Sequence, residues 1–170
     1  ENFNITDDTR MRAALPTIKK VLDAKGSVIL MSHLGRPKGV TDKYSLKHIV
    51  AHLAKLTGKE VKFADDCVGY SAQTLSDNLQ AGEILLLENV RFHEEETTND
   101  LSFAKELSKG CDMFVNDAFS CSHRAHASLH AITNFLPAYS GILLDKEIKA
   151  LTSVLSSPVK PVAALVGGSK

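Results

Sequence analysis

Ser27-Val28-Ile29-Leu30-Met31 is a short apolar run that passes without a break into Ser32-His33-Leu34-Gly35-Arg36-Pro37. The same change recurs along the chain. Ile84-Leu85-Leu86-Leu87 leads into Glu88-Asn89-Val90-Arg91-Phe92-His93. Met113-Phe114-Val115 leads into Asn116-Asp117-Ala118-Phe119 and on to His123-Arg124-Ala125-His126. Val162–Val166 leads into Gly167-Gly168-Ser169-Lys170. Runs that are apolar along their length predict strands buried on both faces. Val61–Phe63 is a weaker member of this set, and Ile142–Leu144 is ambiguous.

Between these runs lie amphipathic stretches with helical spacing. Leu15, Ile18, Val21 and Leu22 form one apolar face; Leu46, Ile49, Val50, Leu53 and Leu56 form a second. Leu101, Phe103, Ala104 and Leu107 form a third, and Ile148, Leu151, Val154 and Leu155 a fourth. Gly26, Gly58 and Gly110 follow helical runs as C′ glycines do. Asn99 or Asp100 can cap the helix after it. Pro16 predicts that the first helix begins near Leu15, with residues 6–14 a separate turn. Strands alternating with helices predict an α/β fold: a doubly wound parallel sheet with helices on both faces. No repeat or linker divides the chain, so residues 1–170 read as one domain.

With 44% hydrophobic and 24% charged residues, the 170-residue chain has the composition of a soluble globular protein. Twenty basic residues balance twenty acidic ones. A nucleic-acid coat needs a global excess of positive charge, so no nucleic-acid partner is expected. No run reaches the roughly 18 apolar residues of a membrane span, and no membrane partner is expected. Three cysteines, Cys67, Cys111 and Cys121, are too few for a disulfide framework and fit a reducing compartment. The chain starts without Met and stops directly after an apolar run, so both ends are expected to be cut.

Ligands of open α/β sheets bind outside the carboxyl ends of the strands. Three strand ends deliver arginine, with histidine nearby, and the fourth delivers two glycines and a lysine. Arginine's planar fork donates paired, charge-assisted hydrogen bonds to phosphate and carboxylate. Histidine adds a donor whose charge can respond near neutral pH. One such arginine is ordinarily a solvated loop residue; three at equivalent positions point to an anion site. Gly167-Gly168-Ser169-Lys170 is weak as a phosphate loop, because it lacks the full GxxxxGK[ST] pattern. It gains weight from following a strand, where backbone N–H groups can face an anion. Cys121, His123, His126 and His130 could suggest zinc, but their spacing is irregular and no metal site is expected. Asn116-Asp117 reads as a catalytic pair or as a loop-ordering pair. Glu94-Glu95-Glu96 reads as a solvated surface run.

Taken in order, the motifs resemble the phosphoglycerate kinase family. They are Thr6-Asp7-Asp8-Thr9-Arg10, Ala13-Ala14-Leu15-Pro16-Thr17-Ile18, Ser32-His33-Leu34-Gly35-Arg36-Pro37, Leu87-Glu88-Asn89-Val90-Arg91-Phe92-His93, Asn116-Asp117-Ala118-Phe119, His123-Arg124-Ala125-His126-Ala127-Ser128 and Gly167-Gly168-Ser169-Lys170. The resemblance implies reversible phosphoryl transfer between 1,3-bisphosphoglycerate with ADP and 3-phosphoglycerate with ATP, using Mg2+, in a cytoplasmic monomer. It implies two doubly wound domains, of which this chain is the N-terminal, phosphoglycerate-binding one. The first strand with its Asp-x-Asn-x-Pro loop would precede residue 1, and the nucleotide domain would follow Lys170. Matching positions imply that Arg10, His33, Leu34, Gly35, Arg36, Arg91, Arg124 and His126 bind phosphoglycerate. Arg10 would also act on the transferring phosphoryl. Lys170 would lie near that group, with Gly167 and Gly168 donating backbone N–H bonds to it. Ser169 stands where alanine is common in the family, and Ser120 where glycine is common.

On this reading the chain alone binds phosphoglycerate and transfers nothing. A stand-alone binding module for phosphorylated metabolites is the alternative. A metal-dependent hydrolase built on His123, His126 and His130 is a further one, as is a structural domain, which leaves the basic strand ends unexplained.

Overall fold

The computed structural model describes residues 3–156 and 158–163. The elements run in order α1 (Thr9–Asp23), β1 (Val28–Leu30), α2 (Val50–Thr57), β2 (Val61–Phe63), α3 (Gly69–Asp77) and β3 (Ile84–Leu86). They continue with α4 (Glu94–Thr97), α5 (Leu101–Ser108), β4 (Phe114–Asn116), β5 (Ala138–Ser140) and α6 (Ile142–Ser156).

Strand β3 is the centre of a parallel three-stranded sheet, order β1-β3-β2. Val28, Ile29 and Leu30 pair with Ile84, Leu85 and Leu86, and Val61, Lys62 and Phe63 pair with the same three from the other side. Side chains alternate across a strand, so β3 feeds two cores. Ile84 and Leu86 pack with Ile18, Leu46, Leu53 and Val61 beneath α1 and α2. Leu85 and Leu87 pack with Ala72, Phe103, Ala104 and Leu107 beneath α3 and α5. Helices therefore cover both faces, as a fully apolar central strand requires. Each such leucine contributes roughly 1.5–3 kcal/mol through burial.

Strands β4 and β5 form a second parallel pair, with Phe114, Val115 and Asn116 opposite Ala138, Tyr139 and Ser140. Among the described residues, β1 is paired only to β3 and β4 only to β5. The expected single sheet is thus divided in two. Strand β5 carries no apolar run, since all three of its residues are exposed, and its sequence gave no sign of it. Helix α3 was likewise unmarked, with Ala72 its one buried residue.

Several local expectations change. Helix α1 runs through Pro16 from Thr9, rather than starting near Leu15. Pro16 and Arg12 are both exposed, so the carbonyl that Pro16 cannot bond lies on the solvent side. The left-handed residue after α1 is Lys25 (φ 65), not Gly26. Lys25 N donates to Leu22 O and Gly26 N to Val21 O, which is the Schellman arrangement one residue earlier than expected. Gly26 is required for space instead, because a Cβ there would lie 2.7 Å from Val21 Cγ1. Leu46–Ile49 forms a 3-10 turn ahead of α2. Ile142–Leu144 is the start of α6. Asp100 caps α5 by accepting from Phe103 N at 2.8 Å. Val162 and Ala163 are not in a strand. The rest of that expected strand, and Gly167, Gly168 and Lys170, lie outside the described residues. No helix among the described residues is long and apolar enough to cross a membrane.

Candidate functional site

The loop after β3 is built on buried polar groups. Glu88 is buried, and its Oε1 accepts from Leu46 N and from Asn89 N, each at 2.7 Å. Its Oε2 accepts from Ser45 Oγ at 2.5 Å. Asn89 has no solvent exposure, yet its side chain is fully used. Nδ2 donates to Leu34 O and to Tyr44 O, both at 2.9 Å, and Oδ1 accepts from Arg91 N at 3.1 Å. These bonds tie the loop after β1 and residues 44–46 to the end of β3. Arg91 Nη1 then donates to Gly35 O at 2.7 Å. Gly35 must be glycine for two reasons: its φ is +66°, and a Cβ there would overlap the Tyr44 ring.

Arg36, Lys38, Arg91, His93, Arg124 and His126 wall an open cleft of about 770 Å³. Three segments that are distant in sequence supply these groups. Two more expected residues couple to the cleft by charge. His33 is pushed down to about 4, first by burial and then by the positive charges of Arg91, Arg124, His126 and Arg10. It is neutral at physiological pH, whereas the sequence suggested a group titrating near neutrality. Arg91 is lowered by burial and next by Arg124. His126 is lowered by burial, with Glu96 acting in the opposite sense. Arg10, Arg36, Arg91 and Arg124 make no ion pair with an acid among the described residues. Clustered guanidinium groups without acid partners leave a field that an anion would neutralise.

The structure thus brings Arg36, Arg91, Arg124 and His126 together as walls, with His33 and Arg10 within reach of their charge. Leu34 and Gly35 serve through their carbonyls. Lys38 and His93 are cleft residues that the sequence reading did not single out for the site. Glu96 corrects another expectation: it is not a solvated residue but 2% exposed. Its carboxylate accepts from Ser128 N at 2.9 Å and Ser128 Oγ at 2.6 Å.

Asp117 orders the loop. Its Oδ2 accepts from Thr17 Oγ1 at 2.6 Å, and its Oδ1 accepts from Leu144 N at 3.0 Å in the first turn of α6. Thr17 Oγ1 also accepts from Ile142 N at 2.9 Å. A side chain at Gly141 would overlap the Asp117 carboxylate. His130 is engaged by Asn99 Nδ2 at 3.1 Å, and Cys121, His123, His126 and His130 do not gather as a ligand set. Among the described residues, the group that does gather is Asp66, Cys67 and His93.

The phosphoglycerate kinase family model matches residues 1–170, the whole chain. The cytosolic phosphoglycerate kinase of Nicotiana tabacum is 54% identical over 171 residues, covering 100% of this chain and 43% of its own. The chloroplastic phosphoglycerate kinase of Volvox carteri is 55% identical over 168 residues, covering 98% of this chain and 36% of its own. The solved phosphoglycerate kinase of Coxiella burnetii superposes with a TM-score of 0.84 at 38% identity, covering 100% of this chain and 43% of its own. The chain therefore spans well under half the length of these relatives.

Proposed function

The chain belongs to the phosphoglycerate kinase family, and on that premise we propose that its cationic cleft holds 3-phosphoglycerate or 1,3-bisphosphoglycerate. The observation that carries this reading is the set of four arginines that make no ion pair with an acid among the described residues, at the ends of β1 and β3, in the loop after β4, and on α1. Arg36, Arg91 and Arg124 with His126 bind the phosphate of the three-carbon acid. His33, neutral, donates a hydrogen bond rather than a charge. Arg10 reaches the carboxyl group that becomes or loses the acyl phosphate.

In the reaction, a carboxylate oxygen of 3-phosphoglycerate forms a bond to the γ-phosphorus of ATP as the bond to the ADP oxygen breaks. The nucleophile is already ionised, so no general base is needed. What the protein supplies is alignment and neutralisation of spread negative charge. Arg10 gives part of that, and Lys170 with the backbone of Gly167 and Gly168 gives a further part. The cleft offers Mg2+ one carboxylate, Glu94, among cations, which does not fit an octahedral site of oxygen ligands. Mg2+ and ATP or ADP are accordingly assigned to residues beyond these 170, in a second, nucleotide-binding domain. These 170 residues are the phosphoglycerate-binding domain, which binds without transferring. A monomer in the cytoplasm is the proposed state. The three cysteines, all unpaired, suit a reducing compartment.

Calorimetric titration with 3-phosphoglycerate tests the assignment. Arg36→Ala and Arg124→Ala each weaken binding by about 1.5–3 kcal/mol, the worth of a hydrogen bond to a charged group. Unchanged affinity in both variants overturns it.

A further inference from the structure

A second cluster shares one wall, His93, with the cationic cleft. Asp66 and Cys67, just after β2, and His93, after β3, bring one ligand atom each to within 4.8 Å of one another. Cys67 is 4% exposed, and its thiol donates to Glu88 O at 2.9 Å. His93 Nε2 is hydrogen-bonded to Asp66 Oδ1 at 2.6 Å. The Asp66 side chain is half exposed, which leaves a way in from solvent.

The surroundings are negative. The Cys67 thiol is held protonated by burial, and then by the charges of Asp66, Glu88 and Glu96. We propose that Asp66, Cys67 and His93 form a binding site for a thiophilic divalent metal of the zinc class, with solvent as fourth ligand. Thiolate sulfur, imidazole nitrogen and carboxylate oxygen are the donors such ions prefer.

Tetrahedral coordination places neighbouring donors about 3.3–3.8 Å apart, so separations of up to 4.8 Å close by at most about 1.5 Å. The His93–Asp66 hydrogen bond opens as they do so. The metal–sulfur bond forms as the S–H bond breaks, its electron pair stays on sulfur, and the proton leaves to solvent. The site shares His93 with the neighbouring cleft, so the titration is done without 3-phosphoglycerate.

The test is titration of the chelator-treated, reduced protein with Cd2+ alone, followed by the ultraviolet thiolate-to-cadmium charge-transfer band. The band is expected to saturate at one equivalent, to be displaced by Zn2+, and to disappear in Cys67→Ala. Asp66→Asn and His93→Gln are expected to keep the band but weaken affinity about tenfold or more. Should Cys67→Ala fail to fold, these two variants decide the matter by themselves. No band at one equivalent, a band retained in Cys67→Ala, or unchanged affinity in both Asp66→Asn and His93→Gln overturns the proposal.

Discussion

Glu96 Oε1 stands 3.5 Å from His126 Nδ1, a buried carboxylate behind an imidazole that walls a cationic cleft. Burial, Arg91 and Arg124 all push His126 toward its neutral form, and Glu96 opposes them. An imidazole that faces a phosphate does more when charged. The Ser128 hydroxyl and backbone N–H hold Glu96 in place, so its effect on His126 is fixed by the fold.

Glu96→Gln keeps the shape and removes the charge. Because His126 is lowered from its ordinary 6.5, wild-type affinity for 3-phosphoglycerate is expected to rise as pH falls below 6.5 and His126 gains its proton. In Glu96→Gln that rise shifts to lower pH. Titrations across this range at constant ionic strength read it directly, and coincident pH profiles would rule out the coupling. Glu96→Ala also strands Ser128 and should cost about 2 kcal/mol of stability, seen in urea unfolding.

His33 carries a second pH prediction. Its folded value is about 4 and its ordinary value is 6.5. The unfolded chain therefore binds more protons between those values. The contribution of neutral His33 to stability is complete above pH 6.5 and is lost as pH falls toward 4. His33→Gln should flatten the fall in urea midpoint over that window. Saturating 3-phosphoglycerate should raise the His33 value, because a bound anion offsets the arginines; NMR titration of the ring protons measures it.

The fold was legible where a strand is apolar throughout. Ile84, Leu85 and Leu86 announce a central strand, and alternation of their side chains explains why both faces need helices. Strand β5 was not legible, because Ala138, Tyr139 and Ser140 owe their extended form to pairing with β4. Arg36, Arg91, Arg124 and His126 were legible from their places at strand ends, whereas Lys38 and His93 were not. Nor were the groups that hold these side chains in place. Glu96 looks like its exposed neighbours Glu94 and Glu95, and its burial depends on contact with Ser128, 32 residues away. Pro16 misled for a physical reason: its cost falls on a solvent-facing carbonyl, which water can satisfy.

Asp117 is predicted to matter for stability rather than binding. It joins α1 through Thr17 to the first turn of α6 through Leu144. Asp117→Ala removes a helix cap and one further charge-assisted bond, about 2–4 kcal/mol together. Thr17→Val loses part of the same network, so the two changes should be less than additive. Additive effects in a double-mutant cycle of urea unfolding would show that the two residues act separately.

Arg10 separates binding from catalysis. It lies in the first turn of α1 and is exposed, outside the cleft walls formed by Arg36, Arg91 and Arg124. If it meets the acid group as negative charge spreads over the transferring phosphoryl, its contact is stronger in the transition state than in the bound substrate. Removing such a contact lowers kcat more than it raises KM. In a protein that carries both substrate sites, Arg10→Ala should follow that pattern in steady-state assays with varied 3-phosphoglycerate. Arg36→Ala should show the opposite split, a raised KM with a smaller change in kcat, because the phosphate it holds does not change charge. A pure KM effect from Arg10→Ala would place Arg10 with the binding residues and leave the transferring group to other cations.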